Sequence, residues 1–552
     1  MLRLVPVLTR VLKWAVVCWV AVFWRLSYMP LIDPDEAHYA QITREMRQLG
    51  DYLVPRIDGV PIIDKPALFH WFQAGSFALF GENEFAARFP TAIACLALLW
   101  VTYWFGQKLF GRDTGERAAL MLALTPLTFV LANVAIFDMI FNAFLFGAFS
   151  LLVISALERR PWLQVPGFLL LSLAVQIKGP FVLIVVVAVA MLASFTKNGR
   201  EAMRRLHWVS GLTAAVIVAL PWFVLMWRRF GQEFINGYVL YNNLQLFAAP
   251  LYRRGFYPFF YVRVAMSALF PWMLVALGGL LDRWRQRGAN SGTELLDARH
   301  VMLWAWILVV FGFFSASRFK LDHYIFPIAP AVCLLAADAW QRAIAPSSAR
   351  SPFTVGSLLF AGVAFVAIGG AGTFAYYTAD LRVPPTAVGV CVAIAAGGFG
   401  WLLLMARGRW RVPATATVLM ATMLVVFGGV RLVGLQVFDE TRPGSNLGKW
   451  LNPHVQPDDH IVIYKQGRWK ASFRFYVEHP VLQTDFENEL MAMWTGPGRT
   501  YAVMIESDLA VLEKAGLPVI RVHAEPATIG NRGRYIREQI WGEVVIVTNR
   551  PQ

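Results

Sequence analysis

The chain has 552 residues, of which 57% are hydrophobic and only 15% are charged. This composition, with a mean hydropathy of +0.52, excludes an ordinary soluble domain and indicates an integral membrane protein. The formal net charge of +15 is what basic cytoplasmic loops facing lipid phosphates would give. It therefore predicts membrane lipids, and not nucleic acid, as partners.

Long apolar stretches recur along the first four-fifths of the chain. A window of about 20 apolar residues predicts about 13 transmembrane helices. Their centres lie near residues 20, 98, 125, 146, 170, 187, 215, 272, 308, 332, 364, 395 and 422. The four cysteines all fall inside apolar segments without metal-ligand spacing, so neither a metal site nor a cofactor is expected from them.

Basic residues between these segments predict the orientation. Lys and Arg precede the first segment and recur at residues 108–117, 159–160, 197–205, 283–299, 342–350 and 407–411. Because cytoplasmic loops are enriched in Lys and Arg, the amino terminus is predicted to be cytoplasmic. The loop at 31–86 and everything after about residue 435 are then predicted to lie outside.

The first external loop opens with the acidic run Asp33-Pro34-Asp35-Glu36. Carboxylates beside hydrocarbon lose hydration, so such a cluster indicates a functional site. Residues 35–38 spell a helicase box, but the chain has no GxxxxGK[ST] phosphate loop, which excludes that interpretation. Asp33 and Asp35 also have the spacing of a metal-chelating pair, yet no nucleotide site accompanies them.

Several Lys and Arg residues lie on the predicted outer side, where the enrichment of cytoplasmic loops in Lys and Arg does not account for them. They are Lys65, Lys178, Arg228, Arg229, Arg253, Arg254, Arg263, Arg318 and Lys320. Single loop charges are usually solvated, but cations that converge with an acidic loop beside lipid indicate a site for a phosphate headgroup.

Two external loops carry local patterns. Residues 35–49 place apolar side chains at helical spacing and predict an amphipathic helix lying on the membrane. Residues 236–261, within an external loop at 228–262, are rich in Tyr and Phe. These aromatic residues indicate either a belt at the lipid interface or a surface that stacks on a sugar or grips an isoprenoid chain.

The composition changes at about residue 436, where hydrophobic runs shorten and charges of both signs appear. Strands are predicted at 461–464, 501–505, 519–523 and 543–548, with helices at 445–451, 471–478 and 507–515. This alternation predicts a small α/β domain over 436–552. It contains no set of residues with the spacing of a known catalytic motif, so its predicted role is to support the structure or to dock the acceptor.

Ordered motifs in the membrane portion resemble a known family. The first loop carries Pro34-Asp35-Glu36-x-x-Tyr39-Ala40, Arg44-Glu45-Met46 and Asp64-Lys65-Pro66, and the later matches are Asp138 in Ala135-Ile136-Phe137-Asp138-Met139, Lys178-Gly179-Pro180 and Ser315-x-x-Arg318-x-Lys320-Leu321-x-x-Tyr324. This order resembles the bacterial aminoarabinose transferases and the related protein mannosyltransferases, which are membrane glycosyltransferases of the C superfamily. The family usually has arginine at the position of His38 and glutamate at that of Asp64.

The resemblance implies roles for the matched positions. It implies catalytic carboxylates at Asp35, Glu36 and Asp138. It implies that the donor phosphate is held by Lys65, Arg253, Arg254, Arg318, Lys320 and Tyr324. It implies that the remaining substrate contacts come from His38, Tyr39, Asp64 and Lys178. No metal and no cofactor are expected.

The resulting expectation is a mainly α polytopic membrane protein with a small carboxyl-terminal α/β soluble domain. Residues 1–435 are the expected transmembrane glycosyltransferase domain, in a bacterial inner membrane, with residues 436–552 in the periplasm. The expected reaction moves 4-amino-4-deoxy-L-arabinose or a related sugar from undecaprenyl phosphate to lipid A or another envelope acceptor. The alternatives are a protein O-glycosyltransferase using a polyprenyl-phosphate sugar, or a transporter of a lipid-linked substrate.

Overall fold

A computed structural model describes residues 4–24, 26–248, 259–289, 297–344, 351–378, 385–407, 413–434, 443–465, 470–530 and 539–551. Two parts are visible in it: a large helical portion up to residue 434, and a smaller unit built around a sheet from residue 443 onward.

Most of the helical portion is packed around a large apolar core, and a separate buried cluster joins helix Asp35–Leu49 to helix Trp208–Phe230. Its α-helices longer than three residues are Leu4–Cys18, Asp35–Leu49, Leu68–Phe80, Glu84–Phe110, Arg112–Ala123, Pro126–Ala132, Asp138–Glu158, Gln164–Lys178, Phe181–Ala193, Lys197–Met203, Trp208–Phe230, Phe260–Ala268, Trp272–Ala289, Ala298–Ala316, Ala329–Ile344, Pro352–Thr378, Thr386–Ala406 and Pro413–Gly429. Short π-helical stretches cover Trp19–Phe23, Ile235–Gln245 and Val430–Gly434, and a 3-10 stretch covers Asp322–Ile328.

Many of these helices have the length and composition of membrane spans. Within the described ranges, seven are long and apolar enough to cross a bilayer, or nine if each of two bent pairs counts as one span. The bends are 66° between Arg112–Ala123 and Pro126–Ala132, and 102° between Phe260–Ala268 and Trp272–Gln286. Three shorter apolar helices add to these. A polytopic helical membrane protein is therefore confirmed.

The predicted break at Lys178-Gly179-Pro180 is present. One helix ends at Lys178 and the next begins at Phe181, with Gly179 at a φ of +111° between them. Only glycine adopts this backbone conformation readily. The break places Lys178 at a helix end.

The predicted helix at 35–49 is also present, but its surroundings differ from the prediction. Leu49, expected on the apolar face, is 58% exposed, whereas Glu45 is buried. The Glu45 carboxylate accepts the main-chain N–H groups of Asp58 (2.9 Å) and Gly59 (3.2 Å) in the following turn. The helix therefore packs against protein and not lipid, because its buried apolar side chains also join clusters with other parts of the chain.

The carboxyl-terminal unit contains a five-stranded mixed sheet. Its strands lie in the order Val481–Thr484, His460–Tyr464, Thr500–Ile505, Gln539–Thr548 and Ile520–Gly530; the first three are parallel, and the last two are antiparallel to their neighbours. Successive side chains point to opposite faces of a strand. One face packs on the helices Gly444–Leu451 and Lys470–Tyr476, and the other on Glu487–Thr495 and Ala510–Lys514.

Candidate active site

A buried ion pair lies where two helices of the membrane portion meet. Asp138 is the first residue of one helix and Lys178 is the last residue of another. Lys178 Nζ lies 2.5 Å from Asp138 Oδ1, and the two side chains are 5% and 2% exposed. Removing two charges from water costs desolvation free energy, and a buried ion pair offsets that cost only when its geometry is good. The pair is a buried charged element at the ends of these two helices.

Two residues of the 3-10 stretch Asp322–Ile328 complete this element. His323 Nε2 lies 3.6 Å from Asp138 Oδ2, an oxygen that has no hydrogen bond among the described residues. Lys178 Nζ lies 4.5 Å from the centre of the Tyr324 ring, and the His323 and Tyr324 rings meet edge to face. Asp138 Oδ2 and the His323 imidazole therefore face each other beside the Lys178 ammonium group.

Asp35 approaches the same cluster from the amino-terminal end of helix Asp35–Leu49. It is exposed and is the first helical residue, where the helix dipole favours a carboxylate. Water reaches Asp35, but crowding by protein raises the pKa of its carboxyl above the ordinary value; His323 and His38 oppose this rise, and Asp138 adds to it. A carboxylate in this state is a better base than a fully solvated one.

Aromatic rings form one wall of the site. The Tyr39 ring packs edge to face on Phe69 at 5.7 Å and on Phe137 at 5.3 Å between centroids. Burial and the charges of Asp64 and Asp35 raise the pKa of the Tyr39 hydroxyl well above its ordinary value. Tyr39 is therefore a neutral hydrogen-bonding group at the edge of an apolar wall.

Lys65 and Asp64 lie at the rim. Lys65 Nζ is 3.9 Å from the Asp64 carboxylate and 5.9 Å from the centre of the Phe137 ring. The Lys65 charge also acts on both Asp138 and Lys178. With its side chain 24% exposed, Lys65 keeps hydrogen-bonding capacity toward an anion entering the site.

Glu36 faces away from this cluster. Its carboxylate is 0% exposed and receives both Nε (2.6 Å) and Nη2 (2.8 Å) of Arg88. It also accepts the main-chain N–H groups of Ile32 and Ala135, each at 2.8 Å. Its acceptor sites are taken by the protein, so its geometry is that of a positioning residue.

Lys320 is likewise engaged elsewhere. Its ammonium donates to the main-chain oxygens of Phe314 (3.3 Å), Ser315 (2.8 Å) and Ser317 (2.7 Å), at the end of helix Ala298–Ala316. Burial lowers the Lys320 pKa. A lysine at a helix carboxyl terminus is favourable because the last carbonyl groups lack helical partners.

The other predicted phosphate contacts are three arginines. Arg318 is exposed, and its main-chain N–H donates to Phe247 O at 2.9 Å. Arg253 and Arg254 lie outside the described residues. The structure brings together the predicted residues Asp35, His38, Tyr39, Asp64, Lys65, Asp138, Lys178 and Tyr324.

Sequence reasoning missed two residues. His323 precedes the matched Tyr324 and has a titratable ring, which was a usable signal. Arg88 is a cation in the second turn of a long apolar helix, and such charges mark paired or functional positions.

Asp33 does not pair with Asp35. Its carboxylate accepts the main-chain N–H of Ser472 at 2.9 Å and also the Ser472 hydroxyl. No group of three or more His, Cys, Asp or Glu side chains is arranged to hold a metal in the part of the chain that the structure describes.

Comparisons with known proteins show which proteins this chain resembles. A family model described as dolichyl-phosphate-mannose-protein mannosyltransferase matches residues 64–227. The undecaprenyl phosphate-alpha-4-amino-4-deoxy-L-arabinose arabinosyl transferases of Yersinia enterocolitica and Aeromonas hydrophila are each 28% identical to this chain, over 342 and 336 residues. These stretches cover 60% and 59% of this chain and 60% of each relative, so the chain spans about 60% of the length of the curated relatives it matches.

Solved structures extend the match to the whole fold. ArnT from Cupriavidus metallidurans bound to undecaprenyl phosphate is similar with a TM-score of 0.75 and 22% identity, over 99% of both chains. An oligosaccharyltransferase from Archaeoglobus fulgidus in the apo form is similar with a TM-score of 0.52 and 11% identity, over 90% of this chain and 69% of that one. The resemblance inferred from the sequence motifs is thereby confirmed, and the fold is shared with ArnT.

Proposed function

We propose that this chain is an integral membrane glycosyltransferase that takes its sugar from an undecaprenyl-phosphate donor. The sugar is 4-amino-4-deoxy-L-arabinose or a close relative, and the acceptor is lipid A or another envelope molecule. The observation that carries the proposal is the meeting of Asp35 with the Asp138–Lys178 pair, next to the partly exposed Lys65. The fold shared with an ArnT that binds undecaprenyl phosphate supports it.

The first task of such a site is to stabilise the leaving phosphate. The bond between the sugar C1 and the phosphate oxygen breaks, and negative charge grows on the departing polyprenyl phosphate. Fixed cations are worth most where water is excluded. Lys65 and the Tyr324 hydroxyl would meet this phosphate, with Lys178 adding positive potential from its buried position.

The second task is to guide the acceptor to C1. If the acceptor is a hydroxyl, Asp35 takes its proton as the new C1–O bond forms. If the acceptor is a phosphate, its oxygen is already a nucleophile, and Asp35 instead stabilises positive charge on the sugar ring. Tyr39, Asp64 and His38 then lie where the sugar hydroxyl and amino groups would be held.

The remaining predicted residues take supporting roles in this proposal. Glu36, bound to Arg88, holds the chain on one side of Asp35. Lys320 fixes the turn that precedes His323 and Tyr324. Arg253, Arg254 and Arg318 remain candidates for the outer contacts to the donor phosphate.

The topology belongs to the same proposal. About 13 spans, with a cytoplasmic amino terminus, place residues 1–435 in the bacterial inner membrane and residues 436–552 in the periplasm. Asp35 then works at the periplasmic face, where a lipid-linked sugar and lipid A meet.

A reconstituted transfer assay tests the function. Purified protein in lipid vesicles receives undecaprenyl-phosphate aminoarabinose with either lipid A or a mixture of periplasmic proteins, and the products are identified by mass spectrometry. The proposal expects a sugar adduct on lipid A and loss of donor. An adduct on protein alone would support the protein O-glycosyltransferase, and movement of intact donor across the vesicle without an adduct would support the transporter.

A further inference from the structure

The carboxyl-terminal unit contacts the loop that carries Asp35. The contact runs through one helix of that unit, Lys470–Tyr476, here called the docking helix. Residues 31–40, here called the catalytic segment, lie against it. The two meet across more than 400 positions of sequence.

The contact has an apolar centre. Ala471 and Phe475 of the docking helix share a buried cluster with Leu31, Ala37 and Ala40 of the catalytic segment. All five are at most 9% exposed. Excluding water from these side chains favours association of the two parts.

Hydrogen bonds surround that centre and fix the register. The Tyr476 hydroxyl accepts the main-chain N–H of Leu31 at 2.8 Å and donates to Glu84 Oε1 at 2.9 Å. Asp33 accepts from both the main chain and the hydroxyl of Ser472. Burial and the neighbouring Glu84 carboxylate raise the pKa of the Tyr476 hydroxyl, so it stays a neutral donor.

Charged groups close the edge. Arg44 Nη1 donates to Phe475 O at 2.6 Å, and its guanidinium lies 4.2 Å from the centre of the Phe475 ring. Arg474 forms an ion pair with Asp58. These contacts bind the docking helix to the same external loop at two further points.

The consequence for Asp35 follows from its position in the sequence. Asp33, two residues before it, is held by Ser472, and Glu36, the next residue, is held by Arg88. Asp35 therefore lies between two fixed points, one supplied by the carboxyl-terminal unit and one by the membrane portion. A side chain held in this way is pre-organised for a reaction that depends on its placement.

We infer that the carboxyl-terminal unit is a working part of the active site, in which Ser472 and Tyr476 are positioning residues for Asp35. The inference rests on the proposed transferase function and deepens it. It replaces a passive role for this unit with the task of holding the catalytic segment.

The test compares Ser472→Ala and Tyr476→Phe with a matched control. Tyr501→Phe removes a hydroxyl whose hydrogen bond, to His454 O, lies inside the same unit and involves no residue of the catalytic segment. Two quantities are measured for the full-length protein: hydrogen–deuterium exchange of peptides covering the catalytic segment, and kcat and donor KM in the transfer assay. Thermal midpoints show that each variant is folded.

Each docking variant is expected to raise exchange in the catalytic segment by about tenfold, because one or two hydrogen bonds are lost there. It should lower kcat by a similar factor of about ten with little change in donor KM, because the phosphate contacts are intact. Tyr501→Phe should change neither quantity.

Three results would overturn the inference. They are unchanged exchange in both docking variants, an equal rise in exchange in Tyr501→Phe, or faster exchange with an unaltered kcat. The exchange measurement needs no donor. If the parent protein transfers no sugar, the proposed function fails, while the exchange result still decides whether the docking helix holds the segment.

Discussion

At the scale of single residues, the buried charged side chains fall into two groups: those that only support the fold and those at the candidate active site. Glu36 and Arg88 saturate each other and the nearby main chain, so they contribute structure. Asp138 keeps one oxygen without a hydrogen bond among the described residues and turns it toward His323. The Glu36 carboxylate therefore has its acceptor sites occupied by the protein, whereas the Asp138 carboxylate keeps one acceptor oxygen without a donor among the described residues.

The Asp138–Lys178 pair gives a stability prediction. Lys178→Met or Asp138→Asn alone should lower the free energy of unfolding by about 3–5 kcal/mol, because each leaves one buried charge without its partner. The double variant should lose much less than the sum of the two losses, since no unpaired charge remains. Thermal unfolding in detergent measures this.

The exposed pair Lys108–Glu158 is the control. Its nitrogen and oxygen are 3.1 Å apart with side chains 33% and 28% exposed, so Lys108→Met should cost less than about 1 kcal/mol. Equal losses for Lys108→Met and Lys178→Met would contradict the special status of the buried pair.

Lys65 and Lys320 are matched in the sequence resemblance but differ in their contacts. Lys65→Met should reduce kcat/KM for the donor by about tenfold or more while leaving the thermal midpoint unchanged, because it removes a charge-assisted hydrogen bond to the phosphate. Lys320→Met should lower the thermal midpoint, since it strips three carbonyl groups of their donor.

Donor titrations and melting curves of both variants separate these roles. A large rise in donor KM for Lys320→Met, with no loss of thermal stability, would show instead that Lys320 binds the donor phosphate.

At the scale of elements, the break after Lys178 depends on one glycine. A Cβ at Gly179 would lie 2.7 Å from the Tyr238 hydroxyl, and the φ of +111° disfavours any other residue. Gly179→Ala should therefore destabilise the protein by about 1–3 kcal/mol and displace Lys178. Adding Tyr238→Phe should recover part of that loss, by removing the clash but not the backbone strain.

Gly312 is a suitable control, because a Cβ there meets no atom within 4 Å. Gly312→Ala, in the last quarter of helix Ala298–Ala316, should be neutral or stabilise by up to about 1 kcal/mol. A Gly179→Ala protein as stable and active as Gly312→Ala would refute the argument.

The elements also show where sequence reasoning succeeds and where it stops. The helix at 35–49 follows from its local periodicity, and the structure gives the same bounds. The edge strand Val481–Thr484 was missed, because four residues after a proline carry little pattern of their own. Its place in the sheet comes from pairing with His460–Tyr464, which a local pattern does not contain.

The site shows the same limit. Asp35, Lys65, Asp138 and Tyr324 were predicted because they belong to motifs. The partners of Glu36 and Lys320 were not, because Arg88 lies 52 positions from Glu36 and the partners of Lys320 are main-chain oxygens. Any residue type can supply a main-chain oxygen, so a contact with the backbone cannot be predicted from the residue types.

At the scale of the whole molecule, the docking contact constrains the topology. Asp33 and Ser472 touch, so the loop at 31–86 and the carboxyl-terminal unit lie on the same side of the membrane. An even number of crossings must therefore separate residue 84 from residue 434. One crossing before the loop and twelve after it satisfy this condition.

A reporter experiment checks that parity. Alkaline phosphatase, which is active only outside the cytoplasm, should be active when fused after Gln552 and also when inserted in the exposed turn at 48–50. Activity at one position and not at the other would contradict the contact between the two parts.

The central claim is that Asp35 is the catalytic carboxylate of a polyprenyl-phosphate sugar transferase, and one measurement addresses it directly. Initial rates of transfer from undecaprenyl-phosphate aminoarabinose to lipid A are compared for the parent, Asp35→Asn and the control Asp458→Asn, which changes an exposed carboxylate of the carboxyl-terminal unit. Asp35→Asn keeps the shape of the side chain and removes its charge, so the rate should fall about 100-fold or more at an unchanged thermal midpoint, while Asp458→Asn stays at the parent rate. Near-normal transfer by folded Asp35→Asn protein would contradict the account.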